Sequence, residues 1–105
     1  MRPDKVLSLL SIAAKAGSIA SGEFAAEKAV KEARAYLVIV AADASDNTKK
    51  HFSDMCKHYN VPYYNYADKD ALGHYIGKEF RASLAVMNAG LAKAMMEQLK
   101  LITTE

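Results

Sequence analysis

A chain of 105 residues, 51% hydrophobic and 25% charged, holds one domain around one core, so residues 1–105 are expected to form a single unit. Its formal net charge of +2 excludes bulk electrostatic attraction to nucleic acid, and any basic surface must come from local clustering. The single cysteine, Cys56, excludes a disulfide framework and accords with a reducing cytoplasm.

Met1-Arg2-Pro3-Asp4-Lys5 leads into an amphipathic helix instead of a long apolar run, so neither a signal peptide nor a membrane span is expected. Val6, Leu9, Leu10, Ala13 and Ala14 share one helical face, and Gly17 stops that helix. Ile19 centres a very short strand. A second helix runs from about Gly22 to Ala33, with Ala26, Ala29, Val30 and Ala33 facing inward. Ser21 is its expected N-cap, and Glu23 suits the positive end of the helix dipole.

Tyr36-Leu37-Val38-Ile39-Val40-Ala41 is a continuous apolar run, short and rich in β-branched residues. It reads as a central strand covered on both faces. Asp43-Ala44-Ser45 breaks the pattern and offers cap residues. Thr48, Phe52, Met55, Cys56 and Tyr59 mark a third helix, which Asn60 and Pro62 end. Tyr63 to Tyr66 form another short strand. Asp68 caps a brief fourth helix through Leu72 and Ile76, stopped by Gly77. Lys78-Glu79-Phe80-Arg81 is a polar turn, Ser83 to Met87 the last strand, and Leu91, Ala94, Met95 and Leu99 mark a C-terminal helix. The expected fold class is α/β, a three-layer α-β-α sandwich with a small four-stranded mixed sheet and alternating helices.

The junction from Gly17 to Gly22 is the first place to look for a ligand. The opening N–H groups of a helix lack internal partners, and Gly22 has no Cβ to keep a flat or anionic group away. The glycine spacing is that of a phosphate-binding loop. However, Glu23 and Phe24 stand where lysine and Ser/Thr are needed, so a nucleoside-triphosphate site is rejected. His51 and His58 lie about two helical turns apart, too far to share a metal ion easily, and Cys56 falls on an apolar face. No metal, cofactor or catalytic constellation is expected, and hence no enzyme.

Three cationic regions remain: Lys28, Lys31 and Arg34; Lys49 and Lys50; and Lys78 and Arg81 around Phe80. Glu27, Glu32, Asp46 and Glu79 interleave with them, so each reads first as a solvated surface. Phe80 has two readings. It folds back into the core, or it stacks on a base while Lys78 and Arg81 meet phosphates. Tyr63, Tyr64 and Tyr66 read as sheet packing.

Gly22 through Lys28-Ala29-Val30, then Ala35 through Ala44, Leu72-Gly73, Gly77-Lys78-Glu79-Phe80 and Leu84-Ala85-Val86 together resemble the ribosomal protein L7Ae/L30e superfamily over nearly the whole chain. The Ala41–Lys50 block and Tyr59-Asn60-Val61-Pro62-Tyr63 resemble most its bacterial YlxQ-like branch. The resemblance implies an α-β-α sandwich that binds kink-turn RNA, a sharply bent duplex with an internal loop. It also implies a Gly-x-Asn-Glu-x-x-Lys motif opening the second helix, and a turn before the last strand that holds unstacked bases. Gly22 and Lys28 match the ends of the motif, Lys78, Glu79 and Phe80 match the turn, and Asp43 lies near the same edge. With neighbouring Glu23, Phe24, Lys31 and Arg81, these are the expected RNA-binding residues.

Phe24 and Ala25 depart from the family's Asn and Glu, and neither can hydrogen-bond a guanine edge. Each lost contact removes about 1–3 kcal/mol of discrimination, by analogy with DNA readout. Glu23 stands one position early, about 100° around the helix. The expected function is non-enzymatic binding of kink-turn or similarly bent RNA, ribosomal RNA included, in a cytoplasmic ribosome- or translation-associated setting. Ribosomal or translation-factor proteins are further expected partners, and no membrane is. The alternative is a protein-interaction module on the same fold.

Overall fold

The computed structural model describes residues 4–103. Among them are five helices and four strands in alternation: α1 (Lys5–Lys15), β1 (Ile19–Ser21), α2 (Glu23–Lys31), β2 (Leu37–Val40), α3 (Asp46–Tyr59), β3 (Tyr63–Asn65), α4 (Lys69–Tyr75), β4 (Ser83–Val86) and α5 (Ala89–Thr103). The expectations at Met1, Arg2 and Pro3 lie outside the described residues.

The sheet order is β1-β4-β2-β3. β4 pairs antiparallel with both β1 and β2, while β2 and β3 run parallel, so the sheet is mixed as expected. α1, α4 and α5 pack together on one face, and α2 and α3 on the other. Every residue of β2 and β4 is buried, because both are interior strands covered by helices on both faces. Phe52, Leu10, Leu37, Ile39, Leu72, Leu84, Met95 and Leu99 are the largest fully buried side chains.

Helix ends follow local chemistry. Asp4, Ser45 and Asp68 accept the N–H groups of Leu7, Thr48 and Ala71 and so cap α1, α3 and α4. Asn60 takes the left-handed conformation at the end of α3. Two sequence expectations are corrected. Ser21 is not the N-cap of α2, since it is the last residue of β1, held in register opposite Leu84. Gly22 occupies the cap position at φ 92° without a side-chain bond. Ala33 does not face inward. The Arg34 N–H donates to the Ala29 carbonyl and the Ala33 N–H to the Val30 carbonyl, closing α2 with Ala33 exposed at φ 60°. Leu7 is buried in α1 where Leu9 is only partly so, and Tyr59 is exposed at the end of α3.

Asp4 also ties the start of α1 to the segment that follows β3. The Tyr66 hydroxyl, just past β3, donates to Asp4 Oδ2 at 2.6 Å. Burial, and then that bond, push the Tyr66 phenol up to about 12. A group raised above its ordinary value of about 10 contributes stability that is fully present below pH about 10. That contribution is lost as pH rises through about 12. Tyr66→Phe should therefore destabilise the protein at neutral pH by about 1 kcal/mol in urea unfolding. The gap between wild type and variant should close in the alkaline limb.

Candidate nucleic-acid interface

The register of the sheet places four junctions at one end of it. Ser21 lies opposite Leu84, and Val40 opposite both Ser83 and Asn65. The start of α2, the β2–α3 loop, the β3–α4 loop and the α4–β4 loop therefore share one edge. Backbone bonds stitch them together. The Gly22 N–H donates to the Ser83 carbonyl at 2.9 Å, the Ala41 N–H to Ala82 at 2.8 Å and the Ala42 N–H to Ala67 at 2.8 Å.

Side chains continue the stitching. The Lys69 N–H donates to Asp43 Oδ1 at 3.0 Å. The Arg81 N–H donates to the Lys69 carbonyl at 3.1 Å. Arg81 Nε donates to Ser21 Oγ at 3.3 Å, and its Nη1 to the Phe80 carbonyl at 2.7 Å. Asp43 and Arg81 thus brace the edge itself. Lys78 lines a small hollow beside Ile19 and Ser21. Its backbone N–H closes α4 on the Gly73 carbonyl at 2.8 Å.

Phe80 is not folded back into the core: it is 63% exposed. Phe24 also points outward, 82% exposed in the first turn of α2. Nothing lies within 4 Å of where a Cβ at Gly22 would stand, so the helix start is open to an approaching group. Glu23 is exposed beside it.

Lys28 and Lys31 follow on α2, roughly 9 and 13 Å along the axis from Gly22. They differ in their surroundings. Lys31 Nζ donates to Glu27 Oε2 at 2.8 Å, and His51 Nε2 of α3 lies 2.8 Å from Glu27 Oε1. The Lys31 bond first, and then His51, hold the Glu27 carboxyl below its ordinary value, and the bond to Glu27 raises Lys31. Lys28 has no side-chain partner among the described residues.

The edge therefore gathers Gly22, Glu23, Phe24, Asp43, Lys78, Glu79, Phe80 and Arg81, with Lys28 one turn beyond and Lys31 farthest away. Four residues that hold it were not singled out from sequence for this role: Ser21, Lys69, Gly73 and Ser83. Only Gly73 carries a local signal, a glycine inside a helix, where it costs about 1 kcal/mol against alanine. Lys69 and Ser83 act through backbone groups, which no side-chain pattern reports.

Among the described residues, no cluster of His, Cys, Asp and Glu could hold a metal ion, and no helix is long and apolar enough to cross a membrane. Burial pushes the Cys56 thiol up to about 11, as suits an inert core side chain.

Residues 4–96 match the family model described as the ribosomal protein L7Ae/L30e/S12e/Gadd45 family. The chain belongs to that family. Two curated relatives bear the name RNA-binding protein YlxQ, in line with the YlxQ-like branch. The one from Bacillus subtilis (strain 168) is 41% identical over 91 residues, 87% of this chain and 91% of its own. The one from Enterococcus faecium is 31% identical over 96 residues, 91% and 92% of the two chains. A solved Bacillus halodurans protein of unknown function superposes with a TM-score of 0.90 at 35% identity, covering 93% of this chain and 99% of that one. The fold is also that of a Giardia lamblia 15.5kD RNA binding protein, with a TM-score of 0.79 at 24% identity over 96% and 92% of the chains.

Gly73 gives a direct test of how the edge is held. A Cβ there would lie 1.3 Å from the Glu79 carbonyl oxygen and 3.3 Å from the Phe80 Cα, so the backbone of the turn must move. Gly73→Ala should cost about 1–3 kcal/mol in thermal or urea unfolding. It should also shift the backbone amide resonances of Lys78 to Arg81 more than those of β2.

Proposed function

We propose that this protein is a non-enzymatic RNA-binding protein that recognises kink-turn or similarly bent RNA through the edge around Gly22. The observation that carries the reading is the pairing of an unobstructed helix start with an outward aromatic turn, joined through Gly22–Ser83 and Ser21–Arg81. A-form RNA hides its base edges in a narrow major groove, so proteins favour distorted or unpaired sites. An open helix tip suits a widened groove, and the exposed Phe80 suits an unstacked base. Lys28 and Lys78 supply cations for phosphates.

The names of the relatives support RNA as the partner class, and the family's name supports a place with the ribosome or translation, where ribosomal RNA and ribosomal or translation-factor proteins are the partners. A cytoplasmic location accords with the buried thiol of Cys56. A second reading, a protein-interaction module, draws on the 82% exposure of Phe24.

Titration against a kink-turn RNA and a straight duplex of equal length, at two salt concentrations, decides between them. The expected outcome is a preference for the kinked RNA, and equal affinity for both overturns structure-specific recognition. Lys28→Ala should weaken binding to every sequence and reduce the slope of log affinity against log salt by about 1. Partners that remain bound after nuclease treatment of a lysate would favour the second reading.

A further inference from the structure

Phe24, Glu27, Lys28, Lys31 and Glu32 line one shallow groove of about 280 Å³ along the outer face of α2. They fall at helical spacing, so Phe24 lies at the end nearest the edge and Lys28 stands one turn behind it. Both carboxylates in the groove are already engaged. Glu27 holds Lys31 and His51, and Glu32 pairs with Arg34 at 3.0 Å. Lys31 is engaged in turn. The groove therefore offers two uncommitted groups: an aromatic ring, the most exposed large apolar side chain among the described residues, and one ammonium group. Neither is needed by the core, since the inward face of α2 is Ala26, Ala29 and Val30.

We propose that Phe24 is a stacking platform for one unpaired nucleobase, and that Lys28 meets a phosphate flanking that base. This rests on the RNA-binding reading and names how this part of the surface recognises its RNA. The ring complements the face of a base and the single free cation complements the backbone beside it, a combination suited to single-stranded nucleic acid. A phenyl ring has no hydrogen-bonding group, and every base has a π-face. The platform consequently reads that a base is unstacked and not which base it is. A protein groove of hydrophobic partners would leave Lys28 without a counter-charge, which disfavours a protein occupant.

The test uses the full chain and a kink-turn RNA whose loop nucleotides are changed one at a time to each of the four bases or to an abasic site. At one loop position, the four bases should bind within about threefold of one another, while the abasic RNA should lose on the order of 10-fold. Phe24→Ala should lose a similar factor and no longer respond to the abasic change at that position. Phe24→Tyr should restore both. Phe24→Ala should leave the salt slope and the melting temperature near those of wild type, because the ring is neutral and outside the core.

A wild-type protein that prefers kinked RNA, paired with a Phe24→Ala variant of equal affinity, overturns the stacking role alone. Absence of any preference for kinked RNA overturns the proposed function as well. Intact RNA binding by Phe24→Ala together with loss of a nuclease-resistant protein partner assigns the ring to protein docking and overturns the proposal.

Discussion

β4 lies between β1 and β2, and its antiparallel register with both places three of the four junctions of the edge, the parallel β2–β3 pairing placing the fourth. Ser83 is opposite Val40 and supplies its carbonyl to Gly22, so the last strand joins the start of α2 to the end of β2. Backbone groups in a buried strand must find partners, and sheet pairing supplies them along a fixed two-residue period. A slip of one residue would turn Leu84 and Val86 to the wrong face. The position of the candidate interface thus follows from the same pairing that fills the core.

The edge divides into residues that brace it and residues that stand bare. Asp43, Lys69, Arg81 and Ser21 form a chain of hydrogen bonds that ties the loops together. Gly73 lets the backbone at Glu79 come close to α4, which sets the height of the turn. Above this brace stand Phe24 and Phe80, whose rings gain nothing from the core. Charges divide in the same manner. Asp43 and Arg81 are used in bracing and Lys31 in joining α2 to α3 through Glu27. Lys28 keeps an uncommitted cation. A surface that separates its structural charges from its free ones can bind a polyanion without loosening its own fold.

Much of the architecture was legible in residue order. The apolar run from Leu37 to Val40 reads as a covered strand, and the spacing of Phe52, Met55 and Cys56 as one face of a helix, and both are so. Asp68 and Asn60 announced helix ends because their side chains or backbone preferences act locally. One error lies where a distant partner competes with local preference, the other at a helix end. Ser21 is a good cap in isolation, yet pairing with Leu84 keeps it in the strand and passes the cap to Gly22. Ala33 continues the apolar period of α2, yet the closing bond from Arg34 to Ala29 forces it outward.

The sequence by itself determined the kinds of elements and their order, because helical and strand periods and capping are properties of neighbours along the chain, and the resemblance of its motifs pointed to the family that the family model confirms. It also supplied the residues of the candidate site but not their division of labour. The Glu27–Lys31 pair is an i,i+4 contact within α2, but only the tertiary structure decided that Phe24 and Phe80 point outward and that Asp43 and Arg81 are braces. Those outcomes depend on bonds between residues as many as 60 positions apart in the case of Arg81 and Ser21. Strand order and register set such bonds, and no local pattern encodes them.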